Sequence, residues 1–346
     1  MTTTDASVSL TALSVYLPVD VVTADDIADV SGLPAEVIMD KLGLRQKHVA
    51  GPDEHVSTMS VDAAKPLLSA VDADPTSSVV IYFGSSIKDY ELWSCAVAVQ
   101  QRLGLAGAYS FEVASNCAGF GVALHLGRAL LLADPSLSHV WLVGASKEAS
   151  VVDYGDLATK SVFAFADGAA AGVLTRDQPG LTILSTAIVS DGTYNEAVLV
   201  PAGGTRQPST EATVGGDLHK VRVQPDIQLG KVVGPQFVEL MISGGRQALD
   251  RADVPPTAID LVVLQHQIPS VVRAIVDGIG ASNAQTVDLA DYGHMSSLDV
   301  PVALHAALEA DMLPAGGHAL LLSAGLGYTW TATVVRLDSS IVLTRG

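Results

Sequence analysis

Cys117 is the first residue in the chain whose placement suggests chemistry. It opens the helix-patterned part of Phe111 to Leu132, FEVASNCAGFGVALHLGRALLL, an apolar run broken after Phe120 only by His125 and Arg128. A helix this apolar is buried nearly all round. Its first turn presents unpaired N–H groups and the positive end of the dipole, which bias a thiol toward thiolate. A small buried hydrophobe is the commoner role of a free cysteine, so the neighbouring candidates decide between the two. His266 ends the apolar strand DLVVL in Gln265-His266-Gln267-Ile268-Pro269, where open α/β sheets gather functional groups; taken alone it reads first as a satisfied core or loop histidine. The loop Asp291 to Asp299, DYGHMSSLD, leads into a helix over Val300 to Ala310 and carries His294 and Asp299. Ser296-x-x-Asp299 also fits a capping-box-like helix start, and His294 also fits a solvent-facing loop. Gly325, Leu326 and Gly327 lie in a glycine-rich turn, SAGLGYTW. Their backbone N–H groups are candidates to complete an oxyanion hole with that of Cys117. A thiol, proton-moving rings, a carboxylate and N–H donors are the parts of acyl transfer through a covalent thioester.

The elements that must position these groups alternate between strand and helix. Val8 to Leu17, Ser78 to Phe83, Tyr109 to Ala114 and His139 to Gly144 read as strands. Thr23 opens one helix, Leu33-Pro34-Ala35 opens another that stops at Gly43, and Ser60 to Ala70 and Trp93 to Leu103 have helical spacing. Phe163 to Thr175 reads as a turn at Asp167-Gly168 followed by a strand. The second half then echoes the first. Leu261-Val262-Val263-Leu264 matches Val79 to Tyr82, Val302 to His305 matches Val122 to His125, and His318 to Ser323 matches His139 to Gly144, all at nearly one offset. Thr333 to Arg336 matches Gly172 to Thr175 at a shorter one. The expectation is an α/β protein of two similar β/α halves, residues 1–178 with Cys117 and residues 179–346 with His266, His294 and Asp299. Pro201 to Lys220, rich in Gly, Pro, Ser and Thr, reads as a surface excursion.

Composition narrows the setting. The 346 residues are 49% hydrophobic, enough for a large core, and 19 basic against 37 acidic residues give a formal charge of −18. That charge argues against nucleic acid or an anionic membrane as partner. Cys95 and Cys117 form no disulfide framework or metal-ligand spacing, which fits a reducing cytoplasm. The opening MTTTDASVSL lacks a basic or apolar leader pattern, and no apolar run is expected to span a bilayer.

The order S-x-C-A-G-F, F-x-D-G-A-A-A, H-Q at a strand end, G-H-x-S and G-x-G-Y-T-W resembles the ketoacyl-ACP synthase III branch of the thiolase superfamily, from Gly43-Leu44-Arg45 to Arg336. The resemblance implies a five-layer αβαβα thiolase-like fold, a cytoplasmic homodimer, and an acyl group carried on Cys117 at the end of a pantetheine tunnel. It implies His266 as the catalytic histidine and no permanently bound cofactor, with a CoA or acyl-carrier-protein thioester as donor. Lys41, Arg45 and Arg273 are then candidates to meet the carrier. Val37 stands where the family stacks a tryptophan on adenine, and Val271 where a basic residue greets the carrier protein. Leu326 replaces the middle glycine of the turn, so its side chain is expected to point away from the tunnel.

Two departures from the family pattern carry the functional expectation. His294 stands in place of the asparagine that helps stabilise the enolate during condensation, and Asp299 in place of a small residue. A carboxylate there can orient His266 or His294, the Cys-His-acid logic of acyl transfer, similar to the ester-forming homologues of antibiotic biosynthesis such as the malonyl transferase of cervimycin assembly. The reading is an acyltransferase of secondary metabolism that moves an acyl group, malonyl among the candidates, through Cys117 to a hydroxyl or amine of a small-molecule acceptor. In it His266 is the base, Asp299 orients it, and His294 is a donor or second base. The alternatives are decarboxylative Claisen condensation by a Cys-His-His set and a non-catalytic partner subunit.

Overall fold

The computed structural model describes residues 6–224 and 229–346; residues 1–5, part of the opening segment weighed above as a leader, lie outside the described residues. The first half contributes β1 (Val8–Tyr16), α1 (Val56–Ala70), β2 (Ser78–Tyr82), α2 (Cys95–Arg102), β3 (Tyr109–Glu112), α3 (Gly119–Ala133), β4 (His139–Lys147) and β5 (Asp167–Arg176). The second contributes β6 (Leu181–Ser190), α4 (Gly234–Ala252), β7 (Ile259–Leu264), α5 (Pro269–Ile279), β8 (Gln285–Thr286), α6 (Asp299–Glu309), β9 (His318–Gly325), β10 (Thr329–Leu337) and β11 (Val342–Arg345). Strand order is β3-β2-β4-β5-β1 in one half and β8-β7-β9-β10-β6 in the other. In each, the first two neighbouring pairs are parallel and the next two antiparallel. The halves therefore share one topology. They join where β1 meets β6 antiparallel at Ser9/Thr182 and Leu10/Leu181, and β11 returns to pair with β1.

Burial patterns show how the layers form. One core holds side chains from both sheets together with α3 and α6, including Phe83, Phe120, Leu124, Leu174, Leu304 and Leu321. A second lies between the first sheet and α1 and α2, and a third between the second sheet and α4 and α5. The result is five layers, with α3 and α6 in the middle. Helix α3 fits there because its glycines admit both sheets: a Cβ on Gly121 would lie 2.3 Å from Thr331 Oγ1 and 2.7 Å from its Cβ, and one on Gly127 2.7 Å from Leu174. By length and composition alone 116–133 could cross a membrane. This corrects the expectation that no apolar run is long enough; here the segment is the central helix between two sheets.

Other differences from expectation have local causes. The helix expected from Ser60 starts at Val56, because the Thr58 hydroxyl accepts the His55 N–H. Asp167-Gly168 is no turn; it begins β5, with Asp167 buried and its carboxylate accepting Ala50 N–H at 2.8 Å and Ala149 N–H at 2.9 Å. The shorter offset of the fourth repeat pair arises because β4 and β5 are linked through 148–166, whereas β9 and β10 are joined by the tight turn 326–328. The excursion Pro201 to Lys220 is mostly exposed, with one short helix, Glu211–Gly215. The Gly43 stop is present: φ is 67° and its N–H returns to the Ile38 carbonyl.

Gly121→Ala should lower the stability to urea by about 1–3 kcal/mol through overpacking against β10. Gly192→Ala, at a site with open space for a Cβ, should stay within about 0.5 kcal/mol of the parent. Equal unfolding midpoints for the two variants would contradict this packing.

Candidate active site

Cys117 lies in the short 3-10 turn Asn116–Ala118 that delivers the chain into α3. Asn116 adopts φ 45°, a left-handed conformation that asparagine tolerates better than most residues. Its side chain is held on both sides, accepting from Ser86 Oγ at 2.8 Å and donating to the Leu326 carbonyl at 3.0 Å. Gly325 lets the glycine-rich turn sit directly on the nucleophile turn, since a Cβ there would be 2.0 Å from the Ser115 carbonyl oxygen.

The ring that meets the sulfur is His294. Its Nε2 is 3.2 Å from Cys117 Sγ and its Nδ1 is 2.5 Å from Asp299 Oδ2. Burial opposes charge on this ring, but Asp299 and Cys117 outweigh it and hold its proton well above the ordinary imidazole range. Asp299 is fully buried and also accepts the backbone N–H groups of Met295 at 2.6 Å and His266 at 2.8 Å. His266 therefore meets Asp299 through its backbone. Its ring Nε2 is 3.1 Å from the Gly43 carbonyl, the two imidazole centroids are 6.5 Å apart, and burial lowers the His266 pKa despite the attraction of Asp299. This differs from the expectation that Asp299 orients the ring of His266 and that His266 serves the thiol. The cause is register: His294 forms an isolated β-bridge with Phe165, donating its N–H to Ala164 O at 2.7 Å and accepting Ala166 N–H at 2.8 Å, which aims the ring at the sulfur. The capping-box alternative also fails, because the Ser296 hydroxyl points to Cys117 Sγ at 3.5 Å and α6 has no side-chain cap.

Cys117, His294 and His266 open onto a cavity of about 420 Å³. Its walls are largely apolar, with Leu42, Phe165, Val198, Phe237, Ile268 and Tyr328 among them. Leu326 lines it too, and packs with the adjoining apolar clusters instead of turning away as expected.

Two buried charged groups, Lys47 and Glu148, escaped the sequence reading, and Ser296 entered it only as part of a helix start. Lys47 is fully buried, 2.7 Å from Phe163 O, bonded also to Phe165 O and 5.1 Å from the Tyr154 ring centroid, and burial lowers its pKa to about 7 against the pull of Asp167. It fastens the segment against which His294 is aligned. Ser296 Oγ lies 3.5 Å from the sulfur, and the buried Glu148 accepts the Ser85 hydroxyl at 3.1 Å. Glu148 follows the end of β4 as His266 follows the end of β7, so the strand-end signal that singled out His266 applied to it equally.

The profile of the 3-oxoacyl-[acyl-carrier-protein (ACP)] synthase III family matches residues 111–192, and that of its C-terminal region residues 249–337. The beta-ketoacyl-[acyl-carrier-protein] synthase III of Salmonella paratyphi A is 29% identical over 326 residues, covering 93% of this chain and 96% of its own. The 3-oxoacyl-(acyl carrier protein) synthase III structure of Pseudomonas aeruginosa PAO1 superposes with TM-score 0.83 at 25% identity, over 96% of this chain and 99% of that one. The chain thus resembles ketoacyl-ACP synthase III proteins along nearly its whole length. It has the thiolase-like fold. The acyltransferase ChlB3 shares the fold, with TM-score 0.76 at 19% identity over 97% of this chain and 98% of its own.

The carrier-binding candidates are dispersed. Lys41 is exposed at the wall of the Cys117 cavity, and Val271 lines it as well. Arg273 is exposed beside a neighbouring cavity of about 270 Å³. Arg45 is taken by carboxylates: Nε and Nη2 reach Asp291 at 2.7 Å each and Nη2 reaches Asp288 at 3.0 Å. This bidentate clamp, with Arg45 N–H on Ala290 O at 2.8 Å, holds the loop that leads to His294, so the guanidinium is committed within the protein.

Asp299→Asn should leave the fold in place but slow acyl loading of Cys117 by on the order of 10⁴-fold, as loss of an orienting carboxylate does in other triads. Time-resolved intact-mass measurement with an acyl thioester checks this; loading at the parent rate would contradict the Cys117-His294-Asp299 alignment.

Proposed function

We propose that the protein is an acyltransferase that moves an acyl group from a CoA or carrier-protein thioester to Cys117 and then to a hydroxyl or amine of a small-molecule acceptor. The observation that carries the reading is the line from Cys117 Sγ through His294 to Asp299, with separations of 3.2 Å and 2.5 Å. His294 takes the thiol proton, the thiolate attacks the donor carbonyl, and the departing carrier thiolate regains that proton from the imidazolium. The acceptor then gives its proton to His294 as its oxygen or nitrogen attacks the acyl carbon, and the C–S bond breaks back to Cys117. Asp299 keeps Nδ1 protonated and stabilises the imidazolium in both halves.

Condensation requires N–H donors converging on an enolate oxygen. Here His266 Nε2 is engaged by Gly43 O and His294 Nε2 faces the sulfur, which supports transfer over carbon-carbon bond formation. The apolar walls and the cavity volume suit a pantetheine arm and a short acyl group, malonyl among them. The same fold is found in ChlB3, an acyltransferase, and in proteins named as synthases, and one fold hosting several chemistries is ordinary.

With malonyl-CoA and a hydroxylated acceptor, the expected product is an intact malonyl ester formed without carbon dioxide. His294→Asn should abolish ester formation. Carbon-carbon bond formation with carbon dioxide release as the only outcome with the parent enzyme would overturn the proposal in favour of condensation, and undiminished ester from His294→Asn would contradict the role of His294 as base.

A further inference from the structure

We propose that Gln265 and Tyr328 determine acyl specificity by donating hydrogen bonds to a carboxylate at the far end of the acyl group, so that Cys117 carries a short dicarboxylic acyl group such as malonyl. The inference rests on the acyl-Cys117 intermediate above and narrows it to one class of donor.

The charge around the cavity points that way. The chain has 37 acidic and 19 basic residues, yet among the described residues no Asp or Glu lines the cavity at Cys117. Lys41 stands exposed at its wall. Asp299 reaches the site only through the His294 ring, and its charge is met by three N–H groups. The neighbouring cavity is different, with Asp277 and Asp288 in its lining beside Arg273. A pocket lined without carboxylates in so acidic a protein favours an anionic ligand.

Two donors in its wall are uncommitted. Gln265 is buried, and its Oε1 accepts the Ala324 N–H. Only the oxygen of an amide can accept an N–H, so this contact fixes which way round the side chain stands. Of the two cavities that Gln265 borders, Ala324 lines only that of Cys117, which puts the amide end on this side. Ala324 precedes Gly325, whose backbone packs on the nucleophile turn at Ser115 and Ala118. Gln265 Nε2 then has two hydrogens and no partner among the described residues. The Tyr328 hydroxyl is likewise unpaired among them. Its ring is stacked on Trp330 at 5.7 Å, and its backbone is bonded to Asp191 in both directions at 2.7 and 3.0 Å. Burial, and then the nearby Cys117, push its pKa up to about 12, so it keeps its proton at neutral pH. Buried polar groups are normally hydrogen-bonded, and two free donors among apolar walls specify ligand oxygens. A carboxylate offers two oxygens and no hydrogen, and it binds donors more strongly than a neutral carbonyl does. Loss of carbon dioxide would draw charge off those oxygens, so donors that hold it there oppose that step. The acyl group then passes to the acceptor with its carboxylate intact.

The test uses the full-length enzyme, with thermal melts to verify folding. Acyl-Cys117 formation from malonyl-CoA and from acetyl-CoA is timed by intact mass. Gln265→Met, similar in size but without an N–H, and Tyr328→Phe should each lower the malonyl-to-acetyl loading ratio about tenfold. Gln265→Glu, which still accepts the Ala324 N–H but sets a negative charge where the donor was, should lower it further. Alkylation at the Cys117 peptide makes the same comparison without acyl transfer, because iodoacetate ends in a carboxylate and iodoacetamide in an amide. The ratio of their rates should fall in the same variants, and each ratio cancels a general loss of reactivity. Absence of an adduct from either thioester in the parent enzyme would sink the acyl-transfer reading, while a fall in the alkylation ratio would still support the two donors as a carboxylate site. Equal losses of malonyl and acetyl loading in Gln265→Met and Tyr328→Phe would assign the donors to the amides of the pantetheine arm and overturn the proposal. Ratios unchanged from the parent would overturn it as well.

Discussion

The buried carboxylate of Asp299 is the constraint on which the site depends. It has no access to solvent and is met by three N–H groups, from His294 Nδ1, Met295 and His266. A carboxylate buried without such partners would cost several kcal/mol. Those donors come from the end of β7 and from the loop before α6, so satisfying one charge fixes two segments from opposite sides of the second half. The same contact determines which ring can work on the sulfur. His294 is oriented and charged by Asp299, whereas His266 has only its backbone on that carboxylate and its ring on Gly43.

The duplicated fold explains why the parts meet. The two halves repeat one strand order, and α3 and α6 lie together in the middle layer, each entered through a 3-10 turn whose first residue has positive φ, Asn116 in one and Ser296 in the other. Cys117 and Ser297 occupy matching places in those turns. Gly119 allows the close approach, since a Cβ there would lie 3.2 Å from Ser297 Cβ. The repeat thus delivers two helix entrances to one spot, and the sequences have diverged in what they place there: a nucleophile from the first half, and a base, its carboxylate and a hydroxyl from the second. Arg45 and Lys47 brace the second set from the first half, one by clamping Asp288 and Asp291, the other by holding the carbonyls of Phe163 and Phe165.

Much of this architecture was legible because it rests on local pattern. The all-buried run SVVIY, the apolar helix after Cys117, the Gly43 stop and the near-constant offset between repeats each encode a single element. Cys117, His266, His294 and Asp299 were found because all sit at strand ends or helix entrances. Their pairing was not legible. Which imidazole Asp299 reaches depends on the bridge between Phe165 and His294, a contact between segments far apart in the chain. Arg45 looked available for a carrier because its carboxylate partners are more than two hundred residues away in sequence. Lys47 and Glu148 were missed because a charged side chain in a short polar stretch reads as exposed, and only tertiary packing buries it.

The central claim is that Asp299 and Cys117 share one charged ring, that of His294, while His266 stays neutral. Nitrogen-15 NMR of the histidine side chains in the resting enzyme at neutral pH tests this most directly. The account predicts that both ring nitrogens of His294 carry protons, with the Nδ1 proton strongly downfield, that Asp299→Asn abolishes this signature, and that His266 shows a single ring N–H. A neutral His294 beside a doubly protonated His266 would contradict it.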